Sequence, residues 1–306
     1  MIKPVPLKRG DTIGIVSPAG PVEKEELFLG VRRLESLGFK ILLGKSIHQS
    51  FRYLAGTDEE RAKDLIELYQ KPEVRAVVAA RGGYGTLRLI PFLRPEVFKT
   101  EPKIVVGSSD LTFLLLFLLR QCQMVSFHGP MVAPNFGRKG SSLTDKFFLW
   151  NMLSNHSEIS FSFPSVEILR KGRAEGVLTG GCLSLLCQSI GTPFEFETEG
   201  RILFLEDIEE APYRVDRMLT YLKTVGKLKG VRGILFGTME KCQTETGKSY
   251  HLTDVLMDCL KDFPGPILYG FPSGHGEHNV TIPLGVKVSL DGANGELKLL
   301  ERGTLD

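Results

Sequence analysis

The chain has 306 residues, 42% of them hydrophobic and 24% charged, with a formal net charge of +2, which suits a water-exposed globular protein long enough for two domains. That near-balance, with no long basic run, gives no footing for nucleic acid or an anionic membrane, and no apolar stretch reaches the length of a membrane span. The amino end, MIKPVPLKRGD, lacks the apolar core of a signal peptide.

Five cysteines (Cys122, Cys182, Cys187, Cys242 and Cys259) show no C-x-x-C spacing, and their number is odd. A disulfide framework or zinc site is therefore not expected, and a reducing cytoplasm is the expected location. His275 and His278 stand three apart, but in a glycine-rich segment rather than on a helix face. No metal is expected there.

In chain order, Asp11–Gly20 reads as a strand running into a Gly/Pro turn, and Glu23–Leu37 as an amphipathic helix ended by Gly38. Phe39–Leu43 is a second strand. Asp58–Tyr69 is a helix with acidic residues in its first turn, where the helix dipole favours them. Val74–Ala80 is a third strand and leads into Arg81-Gly82-Gly83-Tyr84-Gly85. Strands alternating with helices at this spacing predict a mostly parallel sheet flanked by helices, with Gly20, the Gly82–Gly85 turn and Ser109 gathered at the carboxyl ends of its strands.

After Trp150 the pattern weakens, and Ser154–Ser165 reads as a crossing between domains. A second unit opens at Glu175. It has helices at 182–190, 213–225 and 252–263, and strands at 201–205, 231–236 and 266–269. Val280–Pro283 and Val286–Leu290 read as a closing pair of strands, with Glu296–Glu301 behind them. The expected division is an amino-terminal α/β domain over 1–158, a linker over 159–175, and a second α/β domain with a mixed or antiparallel sheet over 176–306.

The stretch that organises the chain is Lys103–Arg120, KIVVGSSDLTFLLLFLLR. Ile104–Val106 suits a buried parallel strand, Gly107-Ser108-Ser109-Asp110 breaks it, and the apolar run from Leu111 to Leu119 is too long for one strand. Ser109 or Asp110 can cap the helix that follows. Alternatively, a strand, tight turn and helix form the elbow that lifts a nucleophilic serine above the end of a sheet, although the G-x-S-x-G pattern is absent.

Acyl transfer by serine needs a base, a group to orient that base, and donors for an oxyanion. His275, in Gly274-His275-Gly276, is a candidate base, and equally a surface or hydrogen-bonding histidine. Glu206 directly follows a strand and is a candidate orienting acid. With Asp207, Glu209 and Glu210 it also reads as an acidic cluster charging the start of the next helix. Oxyanion donors would be the N–H of Asp110 and an N–H of Gly82 or Gly83. The same glycine turn could cradle phosphate, but it lacks the Lys-Ser/Thr of a P-loop. Arg81, Tyr84 and Arg214 are candidate substrate-binding residues. The two arginines suit a free carboxylate, and suit equally an ion pair with Glu209 or Asp216.

Together, Arg81–Gly85, Gly107–Asp110, His128-Gly129-Pro130-Met131, Leu205-Glu206-Asp207 with Glu210–Arg214, and Gly274-His275 with Pro283-Leu284-Gly285 resemble the LD-carboxypeptidase family, in order from Gly10 to about Gly285. The resemblance implies a Ser-Glu-His triad of Ser109, Glu206 and His275, with no metal or organic cofactor. It also implies an amino-terminal domain carrying the nucleophile, a carboxyl-terminal domain carrying Glu and His, and a homodimer. The implied substrate is the cytoplasmic murein tetrapeptide, cleaved at an L,D bond to release D-alanine through an acyl-enzyme in cell-wall recycling. The family also contains hydrolases of microcin-type peptide-nucleotide antibiotics. Ser108, where the family often has tyrosine, and Cys182, where it often has asparagine, depart from its pattern. The rival readings are a non-catalytic peptide-binding protein and a cysteine hydrolase, and the second requires a thiol at the elbow.

Overall fold

The computed structural model describes residues 1–153, 159–244 and 249–305. The chain forms two compact units: Met1–Ser157 with Glu277–Gly285 and Arg302–Asp306, and Glu158–Gly276 with Val286–Glu301. Residues 154–158, where the crossing was expected to begin, lie outside the described residues.

The first unit is a six-stranded sheet flanked by helices. It runs through β1 (Thr12–Val16), α1 (Lys24–Ser36), β2 (Lys40–Leu43), α2 (Asp58–Gln70), β3 (Val74–Ala79), α3 (Thr86–Leu89), α4 (Pro95–Thr100), β4 (Ile104–Gly107), α5 (Thr112–Arg120), β5 (Ser126–His128) and α6 (Ser142–Met152). The pairs β1–β2, β1–β3, β3–β4 and β4–β5 are all parallel. β4 is buried throughout, β1 and β3 nearly so, because helices cover both faces of a parallel sheet. The acidic first turn of α2 belongs to a capping box. Thr57 Oγ1 accepts the Glu60 N–H at 3.3 Å, and Glu60 Oε2 accepts the Thr57 N–H at 2.9 Å. Every residue of α5 from Thr112 to Leu119 is buried. At about 1.5–3 kcal/mol for each large apolar side chain, this helix is a principal weld of the unit.

The second unit carries β6 (Ser160–Ser162), β7 (Glu167–Arg170), β8 (Arg173–Cys182), α7 (Leu183–Ser189), β9 (Arg201–Ile208), α8 (Pro212–Thr224), β10 (Gly233–Glu240), α9 (Leu252–Cys259) and β11 (Ile267–Tyr269). After β12 (Ile282–Leu284), which joins the first sheet, come β13 (Lys287–Asp291) and β14 (Glu296–Leu299). The eight-stranded order is β6-β14-β13-β8-β9-β10-β11-β7. Strands β8 to β11 run parallel, and both flanks are antiparallel. The sheet is thus mixed, as the residues suggested.

Two local expectations need correction. The strands near 282 and 288 are not a closing pair: β12 lies antiparallel to β5 in the first sheet, whereas β13 pairs with β8 and β14 in the second. Gly285, at φ +93, sits where the chain leaves one sheet for the other. The segment 159–175, read as a linker, holds the two edge strands β6 and β7.

Candidate active site

β4 ends at Gly107, and the chain turns through a short 3₁₀ segment, Ser109–Leu111, before α5 begins. Neither Ser109 nor Asp110 caps α5: its N-cap position is Leu111, with no side-chain cap bond. Ser109 instead has φ +58, in the left-handed region that a residue with a Cβ enters only at a cost of about 1–3 kcal/mol. A strained turn between a strand and a helix is the backbone geometry that a nucleophile elbow uses. Asp110 is buried, and its carboxylate accepts the Thr86 N–H at 2.7 Å. Burial raises the Asp110 pKa, against the opposing pull of the Thr86 hydrogen bonds and of Arg61.

The glycine turn lies against this elbow. A Cβ on Gly82 would stand 3.0 Å from Ser109 Cβ and 3.1 Å from its Oγ. Any larger residue at position 82 would force the Ser109 side chain to give way by a few tenths of an ångström, so glycine suits this close approach. Gly82 O accepts the Gly20 N–H at 3.1 Å, so the turn after β1 joins the cluster, as expected. Among the described residues, no backbone carbonyl outside the regular elements accepts the N–H of Gly82, Gly83 or Asp110, the oxyanion donors expected from the sequence. Beside them Gly20, Pro21, Tyr53, Arg81, Gly83 and Tyr84 line an open cavity of about 530 Å³. The Tyr53 and Tyr84 rings meet edge-on at 5.7 Å. Arg81 donates from Nη1 to Pro21 O at 3.0 Å.

In the second unit, Glu206 lies near the carboxyl end of β9 and is fully buried. Its Oε2 is 2.6 Å from His275 Nδ1, and the His275 side chain is 14% exposed. A carboxylate at Nδ1 selects the tautomer whose Nε2 carries the lone pair, the arrangement a general base requires. The loop holding His275 is stitched to β10: Thr238 N donates to Ser273 O at 2.9 Å, and Gly276 N donates to Thr238 Oγ1 at 3.1 Å. Gly274 has φ +127, and a Cβ there would come within 2.6 Å of Glu206 Oε2.

The acidic cluster therefore separates into distinct roles. Asp207, the next residue on the strand, accepts from Ser184 N at 2.8 Å and Ile208 N at 2.9 Å. Glu209 pairs with Lys241 at 2.7 Å, and Glu210 with Arg214 at 3.5 Å. Arg214 also lies over the Tyr213 ring at 5.8 Å. Of the candidate substrate-binding residues, Arg81 and Tyr84 line the cavity described above, and Arg214 is not among its lining residues.

No thiol stands at the elbow. Burial pushes the Cys122 thiol up to about 12 and holds that of Cys182 well above its ordinary value, so neither is a ready thiolate. Among the described residues no group of three or more His, Cys, Asp or Glu side chains is arranged to hold a metal ion, and no helix is long and apolar enough to cross a membrane. His278 Nδ1 stands 2.7 Å from Ser141 Oγ.

Sequence reasoning passed over two further residues. Thr238 has no motif to mark it. Asn279 donates from Nδ2 to Ser108 Oγ at 3.2 Å and sits 3.5 Å from Asn135 Oδ1, so the serine that departs from the family's tyrosine has a buried partner.

The chain is similar to known proteins along nearly its whole length. Residues 13–129 match the LD-carboxypeptidase N-terminal domain, and residues 175–290 match the LD-carboxypeptidase C-terminal domain. A probable murein peptide carboxypeptidase of Bacillus subtilis is 39% identical over 295 residues, covering 95% of this chain and 92% of that protein. The microcin C7 self-immunity protein MccF of Escherichia coli is 30% identical over 330 residues, covering 97% and 95%. The crystal structure of muramoyltetrapeptide carboxypeptidase from Oxalobacter formigenes superposes with a TM-score of 0.84 at 32% identity, covering 95% of this chain and 99% of that one. With both domain models matched and these relatives aligned along nearly its whole length, the chain belongs to the LD-carboxypeptidase family of peptidases.

Proposed function

We propose that this protein is a serine LD-carboxypeptidase that removes the terminal D-alanine from a murein tetrapeptide in the cytoplasm. The observation that carries this reading is the 2.6 Å hydrogen bond that buried Glu206 accepts from His275 Nδ1, the pairing that makes Nε2 the basic nitrogen of the ring. The unit containing Ser109 supplies the nucleophile, and the unit containing Glu206 and His275 supplies the base.

His275 Nε2 takes the proton of Ser109 as Oγ bonds to the carbonyl carbon before the terminal D-residue. The N–H groups of Asp110 and the Gly82–Gly83 turn hold the oxyanion. The imidazolium, stabilised by Glu206, returns its proton to the departing amine as the C–N bond breaks, which leaves Ser109 acylated. Water activated by His275 then cleaves the ester. Arg81, beside Tyr84 in the cavity, is the proposed partner of a substrate carboxylate.

A second substrate, a microcin-type peptide-nucleotide, is supported by the 30% identity to MccF over 97% of the chain. Mass spectrometry of products from L-Ala-D-Glu-meso-diaminopimelate-D-Ala and from an aminoacyl-nucleotide separates the two. The expected result is D-alanine release by the wild type and none by Ser109→Ala. Cleavage of the nucleotide conjugate alone would assign the second substrate, and cleavage of neither would leave a peptide-binding protein.

A further inference from the structure

The side chain of Arg61, in α2, is 0% exposed. A buried guanidinium costs several kcal/mol unless its donors are satisfied, and those of Arg61 are turned mostly to backbone carbonyls. Arg61 donates from Nη1 to Pro18 O and to Gly85 O at 3.1 Å, from Nε to Gly56 O at 3.3 Å, and from Nη2 to Asp58 Oδ1. Each carbonyl belongs to a different loop: the turn after β1, the loop before α2, and the turn after β3. These loops also bond to one another, through Gly20 N to Gly82 O at 3.1 Å and Ala55 N to Ala19 O at 3.0 Å. All three line the cavity, through Gly20, Tyr53 and Gly83 respectively.

The turn of residues 81–86 is therefore gripped from two sides. Arg61 holds the carbonyl of Gly85, and Asp110, the residue after the elbow serine, holds the N–H of Thr86 at 2.7 Å. Gly85 itself has φ +131, and a Cβ there would stand 2.8 Å from Arg61 Nη1. We propose that Arg61, acting with Asp110, is a positioning residue that fixes the Gly82–Gly83 turn against Ser109 and so sets the oxyanion donors in place before substrate arrives. Arginine suits this task because its planar fork reaches several carbonyls at once, whereas a lysine ammonium offers one compact point of charge.

The inference rests on the assignment of Ser109 as nucleophile and of this turn as oxyanion donor. The test must fail separately from that assignment. The first measurement is therefore modification of Ser109 in the wild type by a fluorophosphonate, whose phosphoryl oxygen needs the same donors; no adduct at Ser109 would sink the nucleophile assignment, not the clamp alone. Given an adduct, Arg61→Lys is compared with the wild type for D-alanine release and for the rate of Ser109 modification. A misplaced turn predicts a fall of about 100-fold in kcat and a parallel fall in the modification rate, with KM nearly constant. A folded Arg61→Lys enzyme with wild-type kcat would overturn the proposal, as would a raised KM at unchanged kcat. If Arg61→Lys does not fold, Asp110→Ala, which releases the other end of the turn, carries the same two readouts. Parallel loss of kcat and modification rate supports the clamp, and an unchanged modification rate overturns it.

Discussion

At Ser109 the backbone itself is bent into place, with φ +58 and Gly82 pressed against it, whereas His275 sits in a loop whose position depends on side-chain hydrogen bonds to Glu206 and Thr238. The difference fits the chemistry proposed for each residue. A hydroxyl nucleophile is short and must be carried to its target by the backbone, so strain at the elbow is tolerable where a buried, well-packed helix holds the next turn. An imidazole base is longer and can rotate, so its ring must be held by partners that also choose its tautomer. The elbow should therefore be sensitive to changes in backbone space, and the loop to loss of polar atoms.

The largest expected effect is from Ser109→Ala, which should lower kcat by about 10⁶-fold, measured as D-alanine release, with little change in melting temperature or even a gain at this strained site. Glu206→Gln keeps the shape but loses the carboxylate that selects the tautomer. It should cost about 10⁴-fold in kcat. Gly82→Ala tests the elbow from outside, because the added methyl would meet Ser109 at 3.0 Å. About 100-fold loss in kcat with the fold intact is expected, and wild-type activity would show that the close approach is unnecessary.

Thr238→Val removes the hydroxyl that accepts the Gly276 N–H. About 0.5–1.5 kcal/mol of stability should be lost by urea titration, with roughly tenfold lower kcat as the loop loosens around His275.

The smallest effect concerns pH. Burial raises the Asp207 carboxyl pKa above its unfolded value, so the native state holds this proton more tightly than the unfolded chain. Its favourable contribution is present in full below the unfolded pKa and is lost as pH rises through the folded one. Asp207→Asn should therefore gain most relative to wild type near neutrality, and the gain should shrink on acidification. Thermal melts of both proteins across that range would show the trend, and a gain growing toward acid would contradict it.

The regular parts of both sheets were legible because buried parallel strands are continuous apolar runs, as in Ile104–Val106 and Ile202–Leu205, and because α2 carries its acidic first turn openly. The edges were not. β6 and β7 expose most of their residues, so they carry too little hydrophobic pattern to be told from a polar loop. The sorting of β12 and β13 into different sheets was hidden for another reason: alternation reports which face is buried, not which strand lies alongside.

At the candidate site, residue types pointed to acid, base and serine, and the family resemblance selected among them. What the sequence withheld was conformation and tertiary partnership. A serine at positive φ has no local signature, since the usual glycine is absent. Arg61, which reads as one more charge in D-E-E-R-A-K-D, is buried only because three loops present carbonyls to it.

The most direct test of the proposed chemistry is peptide-mapped mass spectrometry after fluorophosphonate treatment of the wild type, Ser109→Ala and Glu206→Gln, with adduct formation followed over time. The account predicts a single adduct on Ser109, none in Ser109→Ala, and a greatly slowed reaction in Glu206→Gln. An adduct on another residue, or equal rates with and without the Glu206 carboxylate, would contradict it.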